Sequence, residues 1–292
     1  MVIVKSFSVG NGDMFYIKHS SDNFSLIDCC LTDENKKIIV NEIKNESKGK
    51  TIIRFISTHP DEDHIQGLEY LDSEMNLLNF YCVKNNATKK DNTPAFCKYC
   101  ELRDSDKAFH MSKGCSRKWM NESDNTRGSA GIDILWPETN NEYYKEALEN
   151  ASKGESPNNI CPIIKYSLEE GVTMIWMGDL ESSFLENIKG ELKLPKADIL
   201  FASHHGRKSG SVPKELLDTM QPKIIIVGEA PSDELNYYRD YNTITQNTAG
   251  DITFDCDVGK VHIYVSNEKY NVDFLKNETT KKSAGYIGTL NL

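Results

Sequence analysis

Residues 57–67 read S-T-H-P-D-E-D-H-I-Q-G, which puts His59, Asp61, Asp63 and His64 within six residues of one short loop. The loop follows an apolar run over 51–56, rich in β-branched residues, so the four side chains sit where a buried strand ends and the chain turns. Imidazoles and carboxylates together suit borderline or hard divalent ions. Four of them so close exceed the needs of one closed tetrahedral zinc site, and a two-metal site is expected. The strand-then-polar-turn pattern recurs over 172–179, ending in Asp179, and over 198–206, ending in His204-His205-Gly206. The fold must therefore carry several strand ends to one pocket.

Amphipathic stretches at 35–43, 65–71, 181–188 and 214–220 have helical spacing and lie between strands. Two strand-rich halves, the second opening near 131–137, suggest two packed sheets with helices on their outer faces, an α/β sandwich of αββα layering. Further strands are expected at 223–227 and 260–265, with a hairpin turn at 257–259 and a loose polar tail after Asn277. A chain of 292 residues, 38% hydrophobic, can bury its core as a single domain spanning 1–292, interrupted by an irregular basic insertion at about 84–128. No stretch reaches the roughly 18 apolar residues of a membrane span, and 1–10 is too short an apolar run for a secretory signal. A soluble, cytoplasmic protein with its eight cysteines reduced is expected.

Five motifs stand in order: Val9-Gly10-Asn11-Gly12-Asp13, Leu26-Ile27-Asp28, the 57–67 loop, Gly178-Asp179 and His204-His205-Gly206. The set resembles the metallo-β-lactamase-fold hydrolases, in particular the hydrolase domain of ComEC-type DNA-uptake proteins, over most of the chain. That resemblance implies a four-layer αββα sandwich with two mixed sheets and two divalent ions, Mn2+ or Zn2+. His59, Asp61 and Asp179 would hold one ion; Asp63, His64, Asp179 and one histidine of the 204–205 pair would hold the other. His204 is the first choice, because strand alternation puts it on the face of Leu200 and Ala202. His205 would then lie near the leaving group, and Asp63 and His205 are the catalytic candidates. Asp179 reads either as a bridging carboxylate or as a plain helix cap. Asp61 stands where the commoner pattern has histidine. It hardens the donor set, so manganese should serve at least as well as zinc. The turn at 10–13 and Asp28 read as structural support that shapes the ligand loop.

Such a site lowers the pKa of water towards roughly 7 and directs it at a phosphorus or carbonyl centre. The segment after the histidines supplies Arg207, Lys208 and Ser209, which with Asn159 are candidate substrate contacts and favour phosphate. A net charge of −10 argues against broad polyanion binding, yet residues 84–128 hold ten Lys or Arg against six Asp or Glu. Aromatics interleave those cations. The segment reads as a solvated insertion or as a nucleic-acid arm. The expected activity is a metal-dependent phosphodiesterase acting on nucleic acid, nuclease-like. The alternatives are a small-molecule phosphodiesterase, which the acidic balance favours, and a metal-stabilised binding or sensing module without turnover. Cys97, Cys100, His110 and Cys115 form an imperfect zinc pattern, or incidental thiols with Cys97 and Cys100 one helical turn apart.

Overall fold

The computed structural model describes residues 2–278 and 283–292. Strands β1 (Val2–Ser6), β2 (Phe15–Lys18), β3 (Asn23–Ile27), β5 (Ile52–Ile56), β6 (Phe80–Val83) and β7 (Ala108–Met111) build the first sheet, with a two-residue β4 (Cys29–Cys30) beside it. The second sheet takes β8 (Ile132–Trp136), β9 (Ile163–Ser167), β10 (Thr173–Trp176), β11 (Ile199–Phe201), β12 (Ile224–Val227) and β13 (Thr243–Thr245). The chain then returns to the first sheet as β14 (Ile252–Asp257), β15 (Lys260–Val265) and β16 (Tyr286–Asn291). The strand orders are β16-β15-β14-β1-β2-β3-β5-β6-β7 and β13-β12-β11-β10-β9-β8. Both sheets are mixed: β3, β5, β6 and β7 run parallel to one another, as do β10 to β13, and the remaining neighbours are antiparallel.

Alternation along the strands sorts the apolar side chains into three layers. Ile224 and Ile226 of β12 face the other sheet, together with Met174, Trp176, Phe201, Phe254 and Ile263. Ile225 and Val227 face outward, where α5 (Glu142–Ser152), α6 (Ser182–Ile188) and α7 (Lys214–Met220) cover them with Tyr144, Leu185 and Leu217. On the far face, α1 (Lys36–Glu46), α2 (Glu62–Ile65), α3 (Leu68–Met75) and α4 (Pro94–Arg103) cover Leu26, Phe55 and Phe80. A short α8 (Gln246–Ala249) leads into β14. This is the expected four-layer αββα arrangement with two mixed sheets. No helix of the described residues is long and apolar enough to cross a membrane.

Two expectations need correcting. The 84–128 segment is not irregular throughout: Thr93 caps α4 by accepting from the Phe96 amide at 3.1 Å, Pro94 opens the helix, and β7 extends the parallel edge of the first sheet. Phe96 and Tyr99 are buried, and Lys98, Arg103, Lys113 and Arg127 are engaged in ion pairs, so these groups do not form an open stacking surface. Cys97 and Cys100 lie one turn apart on α4. The tail after Asn277 is not loose throughout either, because β16 pairs with β15; residues 279–282 lie outside the described residues. The sequence of β16, Y-I-G-T-L-N, carries little local strand signal, and its pairing comes from β15.

Candidate metal centre

The parallel strands β3, β5, β10 and β11 end at the same edge of the sandwich, where open α/β sheets place their ligands. Asp28 follows β3, His59 follows β5, Asp179 follows β10, and His204 and His205 follow β11. Gly178 makes the turn before Asp179 with φ +54°; a Cβ there would lie 2.7 Å from the Cys161 sulfur, so only glycine fits this close approach. The Asp179 amide donates to the Cys161 sulfur at 3.2 Å. Asp179 is not a helix cap, since α6 begins at Ser182 with Glu181 at its N-cap.

Four imidazoles surround the Asp179 carboxylate. Nε2 of His64 lies 3.2 Å from Oδ1, and Nε2 of His205, His204 and His59 lie 3.4, 3.7 and 4.0 Å from Oδ2. Each ring is held from behind at Nδ1: His64 by Asp28 Oδ2 at 2.8 Å, His205 by Asp13 Oδ1 at 3.2 Å, His59 by the Thr58 hydroxyl at 3.1 Å, and His204 by the Ser209 hydroxyl at 3.1 Å. Outer oxygens of this kind fix the ring orientation of metal-binding histidines and aim the inner nitrogen. Asp28 also accepts from the Thr58 amide at 2.7 Å and its hydroxyl at 2.6 Å, tying the 57–64 loop to the end of β3. Asp63 Oδ2 lies 3.3 Å from His205 Nε2, and Asp61 Oδ2 lies 3.8 Å from His59 Nε2. Among the described residues, Asp13, His64, Asp179 and His205 bring their ligand atoms within 4.8 Å of one another.

The donor set fits a cation. His64 Nε2 faces His205 Nε2 at 3.3 Å, and His59 Nε2 is buried without a hydrogen-bond partner. Burial opposes charge on His64 and His205, yet Asp179, with Asp28 on one ring and Asp13 on the other, overrides it and holds both pKa values well above the ordinary range. Burial would likewise raise Asp179, but His64 and His205 hold it well below the usual carboxylate range. His59 sits at the opposite extreme, pushed down to about 3 by burial and by the neighbouring His64. The pocket thus demands positive charge at its centre, with nitrogen and oxygen donors already aimed there; divalent ions satisfy both requirements.

The alternation that favours His204 stops at Phe201, where β11 ends. His204 and His205 both adopt left-handed backbone, with φ of 52° and 54°, a strained state for histidine of the kind that gathers at functional sites. That turn places His205 with Asp63 and His64, while His204, the more exposed ring, sits against Ser209. The other expected contacts are committed elsewhere. Arg207 pairs with Glu234 and donates to Asn11 at 2.6 Å, Lys208 donates to the Asp233 carbonyl at 2.6 Å, and Asn159 donates to Glu181 at 2.9 Å. Asp13, in the turn expected to give structural support, backs His205, and Lys89, a residue with no expected role, lies 3.2 Å from Asp61 Oδ1. Asp13 carries a sequence signal only as part of a glycine turn; Lys89 carries none. A cleft of about 450 Å³ opens beside Asp61, lined by Glu62, Lys89, Asp91, Thr93 and Glu155.

Asp28→Ala is expected to lower metal affinity about 10–100-fold, because His64 loses the partner that aims it. Calorimetric titration of both proteins with Mn2+ checks this; equal affinities would deny Asp28 that role.

No family model matches the sequence, and no curated protein matches it. Solved structures do. The metallo-β-lactamase-fold protein YhfI from Bacillus subtilis is 10% identical with a TM-score of 0.44, covering 84% of this chain and 96% of its own. Igni18, a metallo hydrolase from Ignicoccus hospitalis, is 14% identical with a TM-score of 0.47, covering 87% and 99%. The metallo-β-lactamase GOB-18 from Elizabethkingia meningoseptica is 17% identical with a TM-score of 0.38, covering 74% and 85%. At such identities the likeness is one of fold alone.

Proposed function

We propose that this protein is a metal-dependent hydrolase that uses two divalent ions to cleave phosphodiesters. One observation carries the reading: four imidazole Nε2 atoms lie within 4.0 Å of a single buried carboxylate, Asp179, each ring braced from behind. Asp179 is the shared ligand. His59 and Asp61 would complete one ion's set, and Asp63, His64 and His205 the other's; His205 is preferred to His204 as the ligand because it faces Asp63 and His64. When bound, the ions polarise a phosphoryl oxygen and acidify water. Asp63, one-third exposed, would orient the water through the carboxylate oxygen not used as a ligand. His204, the more exposed ring of the pair, is left beside the leaving group as a neutral hydrogen-bonding imidazole, because burial lowers its pKa, and Ser209 fixes its orientation. Three carboxylates among the ligands make the set hard, so Mn2+ should act at least as well as Zn2+.

Nucleic acid is the substrate suggested by the ComEC-type resemblance, which rests on the five sequence motifs. The cleft favours a second reading, a small phosphodiester: Glu62, Asp91 and Glu155 oppose Lys89 and Lys90 along its walls, a poor surface for a polyanion. Chelator-stripped protein should regain hydrolysis of bis-p-nitrophenyl phosphate when Mn2+ or Zn2+ is restored, and parallel assays on single- and double-stranded DNA separate the two substrates. Metal-loaded protein that cleaves none of the three would overturn the phosphodiesterase reading.

A further inference from the structure

We propose a second binding site, for a small aromatic phosphate of nucleoside-monophosphate size, at the end of the sandwich opposite the metal centre. A cavity of about 390 Å³ lies between the 116–122 loop and the amino ends of β5 and β6, lined by Asn79, Tyr81, Arg117, Lys118 and Trp119. Ile52 on its wall opens β5, whereas the metal ligands follow that strand's carboxyl end. The volume is within the range of small-molecule sites.

The cavity backs onto an uncompensated buried cation. Arg54 is fully buried and donates to Asn23 Oδ1 at 2.8 Å, the Ser25 hydroxyl at 3.0 Å and the Trp119 carbonyl at 2.9 Å, all of them neutral. No carboxylate pairs with it among the described residues, and its Nε has no acceptor. Buried charges are ordinarily paired, so this one leaves a positive field at the cavity wall, where Tyr81 and Trp119 both touch the guanidinium. Arg117 adds to it: its guanidinium lies 5.2 Å over the Phe109 ring and pairs with no carboxylate among the described residues. Lys118 finds its carboxylate, Asp124, only at 4.0 Å. The one acid on the wall, Glu122, accepts from Ser116.

Trp119 supplies the second feature. Its backbone is left-handed, with φ of 65°, a strained state for a bulky residue that is held here by Arg54 on its carbonyl and by its own amide donating to the Glu122 carbonyl at 2.7 Å. The indole Nε1 donates to Asp124 at 3.0 Å, and the Arg127 guanidinium stacks 4.4 Å from the ring, so the side chain is fixed while lining the cavity. A rigid indole beside two cations suits a flat ring carrying a phosphate. This assigns a role to the basic, aromatic-bearing segment that is independent of the hydrolase reading.

The test is titration of the 292-residue chain with adenosine 5′-monophosphate in excess chelator, followed by tryptophan fluorescence and by calorimetry. Of the chain's three tryptophans, Trp119 is the one that lines this cavity, whereas Trp136 and Trp176 are buried in the core. A saturable change is expected, weakened about tenfold or more in the surface variant Arg117→Ala/Lys118→Ala at unchanged melting temperature, with adenosine and inorganic phosphate each binding more weakly. No saturable binding, an unchanged Kd in that variant, or phosphate binding as tightly as the nucleotide would overturn the proposal. So would binding that appears only when chelator is omitted, which would place the nucleotide at the metal centre.

Discussion

Asp179→Ala should abolish the stabilisation that divalent metal gives this protein, together with any hydrolysis that depends on it. Wild-type protein should gain about 2.7 kcal/mol when free Mn2+ or Zn2+ stands about 100-fold above its Kd, read as a rise in melting temperature. The variant should gain none. Four imidazoles face this one carboxylate, so its loss removes the group that the two proposed ligand sets would share and leaves His64 and His205 facing each other across 3.3 Å without the charge that reconciles them. Losing a bracing residue behind a histidine costs about 10–100-fold in affinity, and losing the shared ligand should cost more. Thermal melts of both proteins across a metal titration decide it. A variant that still gains the wild-type increment would show that the ions bind elsewhere.

Phe201→Ala should cost about 3–5 kcal/mol of stability, the range for truncating a buried aromatic. Phe201 stacks on Trp176 at 4.5 Å with 9° between the planes, and meets Phe15 and Phe254 edge-on at 5.1 and 5.9 Å. Those four rings come from both sheets, so the cavity would open between them. Trp176 and Phe201 are also the last residues of β10 and β11, each three positions before a residue of the metal centre. Relaxation there should loosen Asp179 and His204 and weaken metal binding as well. Urea denaturation of wild type, Phe201→Leu and Phe201→Ala gives the size of the effect, with leucine expected to lose less. A loss under about 1 kcal/mol for alanine would mean that the sheets do not pack through this cluster.

The parts of this molecule legible in its sequence are those with a local physical signature. Apolar, β-branched runs ending in clustered His and Asp mark β5, β10 and β11, and the helical spacing at 35–43 and 214–220 corresponds to α1 and α7. What the sequence hides is set by long-range pairing or by a backbone change too local for periodicity to register. The parity rule for His204 and His205 fails because β11 stops at Phe201 and both histidines turn left-handed. Arg207 and Lys208 look free in sequence, but Glu234 and the Asp233 carbonyl, 27 and 25 residues away, hold them. Lys89 reaches Asp61 only because α4 docks the insertion against the metal loop, where Thr93 donates to Glu62 at 2.8 Å. β15 and the turn before it are legible at 260–265 and 257–259, but the return of these strands to the first sheet, with β16 beside them, has no local signal and is specified by the neighbours they meet.

The most direct measurement is the number of divalent ions held per chain, by equilibrium dialysis against Mn2+ and elemental analysis of wild type beside Asp179→Ala. Two ions per wild-type chain, with fewer in the variant, is the predicted result. One ion or none in wild type under saturating metal, or two retained without Asp179, would contradict a two-metal centre built on that carboxylate.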